Sequence, residues 1–137
     1  MSKNDSLDHA NHNKEVCEYL RKESNYSDWV ITTAFYSAIY FTDHKIFPLK
    51  TKQNGKSFTY VSFDRYWANY AIRNYSNKHK AKLALVEKEL PEIAHHYSDL
   101  KNLCHGARYV DYKYDHWVAN HAKKRLEAIE KFCVDKA

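Results

Sequence analysis

From Leu83 onward, apolar residues recur at Val86, Leu90, Ile93, Tyr97, Leu100, Cys104 and Ala107, a strict alternation of three- and four-residue steps. This spacing keeps one side of an α-helix apolar for about seven turns, whereas side chains of a strand repeat every second residue. Pro91 falls inside the run without disturbing its phase, so the pattern predicts either one kinked helix or two abutting helices sharing a seam. Residues 26–47 read differently: Trp29, Val30, Ile31, Phe35, Ile39 and Phe41 leave almost no polar side. A helix apolar all round must be enclosed by neighbours, which predicts the bundle centre. Its β-branched residues keep a strand reading open, against its length and lack of alternation.

Two further helices flank these. The first begins near Ser6 or Asp8, turns Val16, Cys17 and Leu20 inward, and ends at Ser24-Asn25, which also caps the next helix. The last covers about residues 114–134, with Val118, Ala122, Leu126, Ile129 and Cys133 at helical spacing. Pro48 ends the second helix, and the polar stretch 50–57 carries the turn signal Asn54-Gly55, which could nucleate a small hairpin with Pro48-Leu49. Residues 58–63 suit a short extended piece. Ser62 or Asp64 then caps a short helix through Tyr66, Trp67, Tyr70 and Ala71, and Ser76-Asn77 interrupts before the long seam. The expectation is an all-α, up-and-down bundle of four main helices with a short extra helix within 49–75.

Composition narrows this further. With 137 residues the chain is one domain, and two Gly and two Pro argue against a sandwich or barrel of many short strands. Three Cys, at 17, 104 and 133, form no close pair, which suits a reducing cytoplasm better than a disulfide framework. No apolar run reaches the roughly 20 residues that cross a bilayer, and Met-Ser-Lys-Asn-Asp-Ser is not a signal peptide, so a cytoplasmic protein is expected. A net charge of +5 mildly favours polyanionic partners. The twelve Tyr suit packing in which the ring is buried and the hydroxyl reaches a polar group.

The chain resembles the HEPN-domain family of small helical bundles found in prokaryotic toxin and defence systems. The resemblance rests on Asp28-Trp29 through Phe35-Tyr36-Ser37-Ala38-Ile39-Tyr40 to Asp43-His44, similar to that family's second helix. It rests also on Tyr97-Ser98-Asp99-Leu100 leading to Ala107-Arg108-Tyr109, and on the returning last helix. It covers roughly residues 10–134, with 49–75 as an elaboration. Catalytic members use an Arg, often followed by a polar residue, and a His after four to six residues. They are generally metal-independent ribonucleases in which two motifs meet across a dimer.

The resemblance thus implies Arg73 and His79 as a catalytic pair, with Asn74 directly after the Arg. His can move the 2′-hydroxyl or leaving-group proton near neutral pH, while Arg holds the phosphate by paired hydrogen bonds. On an unbroken helix, positions six apart lie about 240° around the axis, so the two converge only if Ser76-Asn77 breaks it. Otherwise His79 caps or packs. Arg108 and His116, with seven residues between them, form the next pair. Arg108 also reads as an ion-pair partner of Asp99 or Asp111, with Tyr109 as packing. Asp43-His44 reads as part of a polar cleft, or as a helix C-terminus where His complements the macrodipole.

Lys78, Lys80 and Lys82 with Arg73 make the densest basic cluster, flanked by Tyr66, Trp67, Tyr70 and Tyr75. Cations interleaved with rings suit single-stranded RNA, and Lys78, Lys80, Lys82, Tyr75 and Arg108 are the expected contacts. The alternatives are a wet lysine face over inward rings, or a dimer interface. His9 with His12, His95-His96 and Cys104-His105 lack metalloenzyme spacing, so no metal is expected. Gly occurs only at 55 and 106, which leaves no phosphate loop and no cofactor indicated. Cys104 lies on the apolar seam and reads as core. What the resemblance implies, with these residues, is a nucleic-acid-associated protein of toxin or defence type that works as a homodimer, with metal-independent ribonuclease activity centred on Arg73 and His79 and an antitoxin or other protein partner as further expectations. The alternative is a non-catalytic module that binds protein or RNA.

Overall fold

The computed structural model describes residues 3–22, 25–109 and 114–134. The elements are α1 (Lys3–Arg21), α2 (Ser27–Ile46), a hairpin of β1 (Leu49–Gln53) and β2 (Lys56–Tyr60), α3 (Phe63–Asn69), a 3-10 turn (Ala71–Arg73), α4 (Lys78–Glu89), α5 (Ala94–Tyr109) and α6 (His116–Val134). The chain is therefore mostly helical with a two-stranded sheet, rather than purely α. The hairpin follows from Asn54 and Gly55, whose φ values of 53° and 78° are those of a type I′ turn. The strands pair antiparallel, with Leu49 opposite Tyr60 and Gln53 opposite Lys56.

The seam keeps its phase across two helices, which are separated by residues 90–93. Val86, Leu90, Ile93, Tyr97, Leu100, Cys104 and Ala107 are all buried, and Leu83 is partly so. Of the two shapes compatible with the pattern, the abutting pair is the one formed, because proline has no N–H to continue the ladder.

Helix α2 is the centre, packed against α1, α5 and α6. Its core side includes Ile31, Ala34, Ala38 and Phe41, all fully or almost fully buried. It is not completely sheathed: Trp29 and Tyr36 are 46% and 37% exposed. The expected Ser24-Asn25 cap is not what starts α2, whose N-cap is Tyr26, without a side-chain hydrogen bond; Ser24 lies outside the described residues. Ser62 does cap α3, accepting from the Arg65 amide at 3.3 Å.

Polar bonds tie the helices together beyond apolar burial. Ser37 Oγ donates to the Ala10 carbonyl at 2.7 Å, locking α1 to α2 where small residues let the two backbones approach. Between α1 and α6, Lys14 meets Glu130 at 2.9 Å and Lys123 meets Glu18 at 3.0 Å. The three cysteines lie buried as thiols. No helix among the described residues is long and apolar enough to cross a membrane.

Candidate nucleic-acid interface

Along α5, Lys101, His105 and Arg108 follow at i, i+4 and i+7, which sets them on one side of the helix next to the buried seam. This side faces α2 and the start of α4. Asn77 fixes that start by accepting the Lys80 amide on its Oδ1 at 2.9 Å, which places His79 and Lys80 in the first turn of α4. The three elements enclose a cavity of about 300 Å³ whose wall includes His79, Lys80, Lys101, His105 and Arg108, with Tyr36 from α2. No Asp or Glu among the described residues lines it.

Arg108 is held open toward this space. Its guanidinium lies over the Trp29 ring, 5.3 Å from the centroid, and its Nη1 donates to the Tyr36 hydroxyl at 3.2 Å. The expected ion pair with Asp99 does not form, because Asp99 binds Arg125 at 2.9 Å; Asp111 lies outside the described residues. Tyr109 is not packing: it is 75% exposed at the cavity rim. The aromatic exposure of α2 thus has a purpose in this arrangement, since Trp29 and Tyr36 are the groups that position Arg108.

His79 stands at the surface by area, yet its ring lies 5.9 Å from Phe35. That crowding, followed by the charges of Lys101 and Lys82, holds its pKa below the ordinary value. A neutral imidazole is therefore favoured here. Cys104 also borders the cavity, but burial pushes its thiol pKa up, leaving it protonated rather than nucleophilic.

The two residues expected as a catalytic pair are not brought to one cavity. The break at Ser76-Asn77 is present, but Arg73 sits in the 3-10 turn with its Nη2 on the Asn69 carbonyl at 3.2 Å and lines the cleft beside the hairpin. His79 lines the α2–α4–α5 cavity instead, with Arg108. Among the expected RNA contacts, Lys78 and Lys80 are exposed and Tyr75 is partly buried, whereas Lys82 turns inward. It is 4% exposed, and its Nζ donates to the Ile39 carbonyl at 3.0 Å and to Asp43 Oδ1 at 2.6 Å. His116 is exposed at the start of α6, beyond residues 110–113, which lie outside the described residues.

Asp43 accordingly belongs to the protein interior, where burial raises its carboxyl pKa despite Lys82 beside it. His44 lies in the last turn of α2. Lys101 and His105 are site members that no motif in the sequence marks; their signal is the four-residue step on the polar side of the seam helix. Among the described residues, no three His, Cys, Asp or Glu side chains gather as a metal site. Comparison of the chain with protein-family models, with curated proteins and with solved structures finds no match in any of the three.

Proposed function

We propose that this chain is a HEPN-like, nucleic-acid-associated protein of toxin or defence type that binds single-stranded RNA in the α2–α4–α5 cavity. The observation that carries this reading is the lining: Lys80, Lys101 and Arg108, two histidines, and no carboxylate among the described residues. Cations confined together repel one another, and a phosphate placed among them relieves that repulsion. Tyr36 and the largely exposed Tyr109 add ring faces on which bases can stack. The mostly helical fold is compatible with the resemblance of α2 and α5 to that family, from which a homodimer and a protein antitoxin also follow as parts of the proposal.

A second reading is metal-independent RNA cleavage, favoured by one observation. His79, held toward its neutral form, shares the cavity with Arg108. Here His79 would accept the 2′-hydroxyl proton as that oxygen bonds to phosphorus and the P–O5′ bond breaks, the 5′-oxygen leaving with a proton from water, while Arg108 stabilised the phosphate oxygens, so Arg108 would take the part that the sequence suggested for Arg73.

The test is titration of a fluorescent single-stranded RNA at several salt concentrations. Lys101→Ala/Arg108→Ala is expected to bind at least about tenfold more weakly and to lower the salt slope by about 0.7 for each phosphate it no longer neutralises. Unchanged affinity in that variant rejects the site. Incubation in chelator, followed by gel analysis, separates the two readings: cleavage lost in His79→Ala and Arg108→Ala supports the enzyme, and binding without cleavage supports the module.

A further inference from the structure

We propose that the β-hairpin together with α3 and the 3-10 turn forms a second groove for single-stranded RNA, continuous with the α2–α4–α5 cavity. The cleft between these elements has a volume of about 860 Å³, and its wall carries Lys56, Arg65 and Arg73 without any Asp or Glu among the described residues. Each of the three cations comes from a different piece of structure: Lys56 from β2, Arg65 from α3 and Arg73 from the 3-10 turn. Fold closure is thus what gathers like charges around one space, and an anionic chain is what would neutralise them. Arg73 gives one bond to the Asn69 carbonyl, out of five N–H donors.

Phe58 supplies the second half of the argument. This ring is 40% exposed on the cleft wall and lies nearly parallel to Tyr60, at 10° and 6.4 Å between centroids. Tyr60 is itself fixed, with its hydroxyl donating to Gln53 Oε1 at 3.2 Å and its ring edge-on to Tyr66 at 5.5 Å. Phe58 therefore presents an exposed ring beside cations, next to a Tyr60 that is held in place. A single strand offers both complements, phosphates for the cations and base faces for the ring. An acidic peptide uses only the cations, and a duplex keeps its base faces stacked inside.

The two sites are close along the chain. Asn74 lines this groove and Asn77 lines the other cavity, and three residues span at most about 11 Å. One strand can therefore engage both, and the second engagement is then intramolecular. This continuity rests on the proposed RNA reading of the α2–α4–α5 cavity, whereas the groove itself does not.

The experiment is fluorescence anisotropy with a labelled oligouridine of about 20 nucleotides, long enough to exceed one site. The proteins are wild type, Lys56→Ala/Arg73→Ala, Phe58→Ala and Lys101→Ala/Arg108→Ala, with circular dichroism confirming that each is folded. The expected result is that every variant binds about tenfold more weakly, and that only the two cation variants lose salt dependence. Wild-type affinity in both hairpin variants, with weakened binding in Lys101→Ala/Arg108→Ala, overturns the groove and leaves the cavity reading standing. Weakened binding only in the hairpin variants overturns the cavity reading and leaves the groove. Absence of binding by wild type overturns both. Poly-glutamate that competes as well as RNA and is insensitive to Phe58→Ala overturns the groove in favour of an acidic peptide.

Discussion

The Lys82 ammonium lies 2.6 Å from a carboxylate oxygen of Asp43, with side-chain exposures of only 4% and 13%. The pair joins α4 to α2, and the ammonium also sits 5.6 Å from the ring centroids of Phe63 and Tyr97. Removing one partner strands the other charge away from water. Lys82→Ala and Asp43→Ala are each expected to cost about 3–5 kcal/mol in urea unfolding. Lys82→Met/Asp43→Leu, which removes both charges and leaves apolar side chains in their place, should cost much less than the two single losses added together. A double variant that loses their full sum would contradict a coupled pair.

Arg125 makes stability depend on pH. Its Nη1 meets His96 Nδ1 at 2.9 Å and its Nη2 meets His121 Nε2 at 3.0 Å, while Asp99 pairs with the same guanidinium. Guanidinium only donates, so both ring nitrogens must present lone pairs. Burial, then the charges of His95 and Arg125, holds the His96 pKa below its ordinary value. The unfolded chain therefore binds this proton more readily than the folded one, and stability falls as pH drops below the ordinary histidine value of about 6.5. Above it, the group contributes no slope. His79 acts in the same direction, so the measurement is a difference: unfolding free energies across this range for wild type and His96→Gln. Gln can still accept from Arg125 but does not titrate, and a flatter profile is expected. Parallel profiles would exclude His96 as a source.

The helices are legible in the chain because their periodicity is a one-dimensional property. The seam from Val86 to Ala107 can be followed through Pro91, yet the phase that reveals the seam is the same whether the helix bends or divides. The Asn54-Gly55 pair announces its turn, and the register follows from where it falls. Nearness in sequence misleads at Arg73 and His79, since residues 74–77 change the chain's direction between two cavities. Lys82 differs from Lys78 and Lys80 in burial, which nearness in sequence does not reveal. Its neighbours at i+3 and i+4 are the buried Leu85 and Val86, which place it on the inner stripe. That Asp43 waits there is tertiary information. So is the meeting of Tyr36 with Arg108, residues separated by 72 positions.

Gly106 marks a close approach to α5. A Cβ there would collide with the hydroxyl of Tyr114, with the ring carbon behind it 3.7 Å away. Two effects then oppose each other. Alanine is favoured over glycine within a helix by about 1 kcal/mol, but Gly106→Ala must push Tyr114 aside. In a Tyr114→Phe background the obstructing oxygen is gone and the propensity gain should appear in full. Gly106→Ala is thus expected to stabilise Tyr114→Phe by about 1 kcal/mol and to give a smaller gain, or a loss, in wild type. Thermal or urea unfolding of the four proteins checks this, and equal effects in both backgrounds would remove the steric account.

Gly55 isolates the backbone contribution to the hairpin. Its φ is 78°, and an added Cβ would meet nothing within 4 Å, so Gly55→Ala changes conformational preference alone. Holding an L-residue in this left-handed region costs about 1–2 kcal/mol. The hairpin is anchored at its far end, where Leu49 and Tyr60 are buried opposite each other, while Gln53 and Lys56 beside the turn are not. The cost should therefore appear first as fraying at the turn rather than as global unfolding. Amide exchange within residues 53–57 is expected to speed up by about tenfold, with little change at the seam helices. Because the same turn carries Lys56 and the strand that carries Phe58, oligouridine binding should weaken in parallel. Unchanged exchange in Gly55→Ala would mean that the left-handed turn is not what holds the two strands in register.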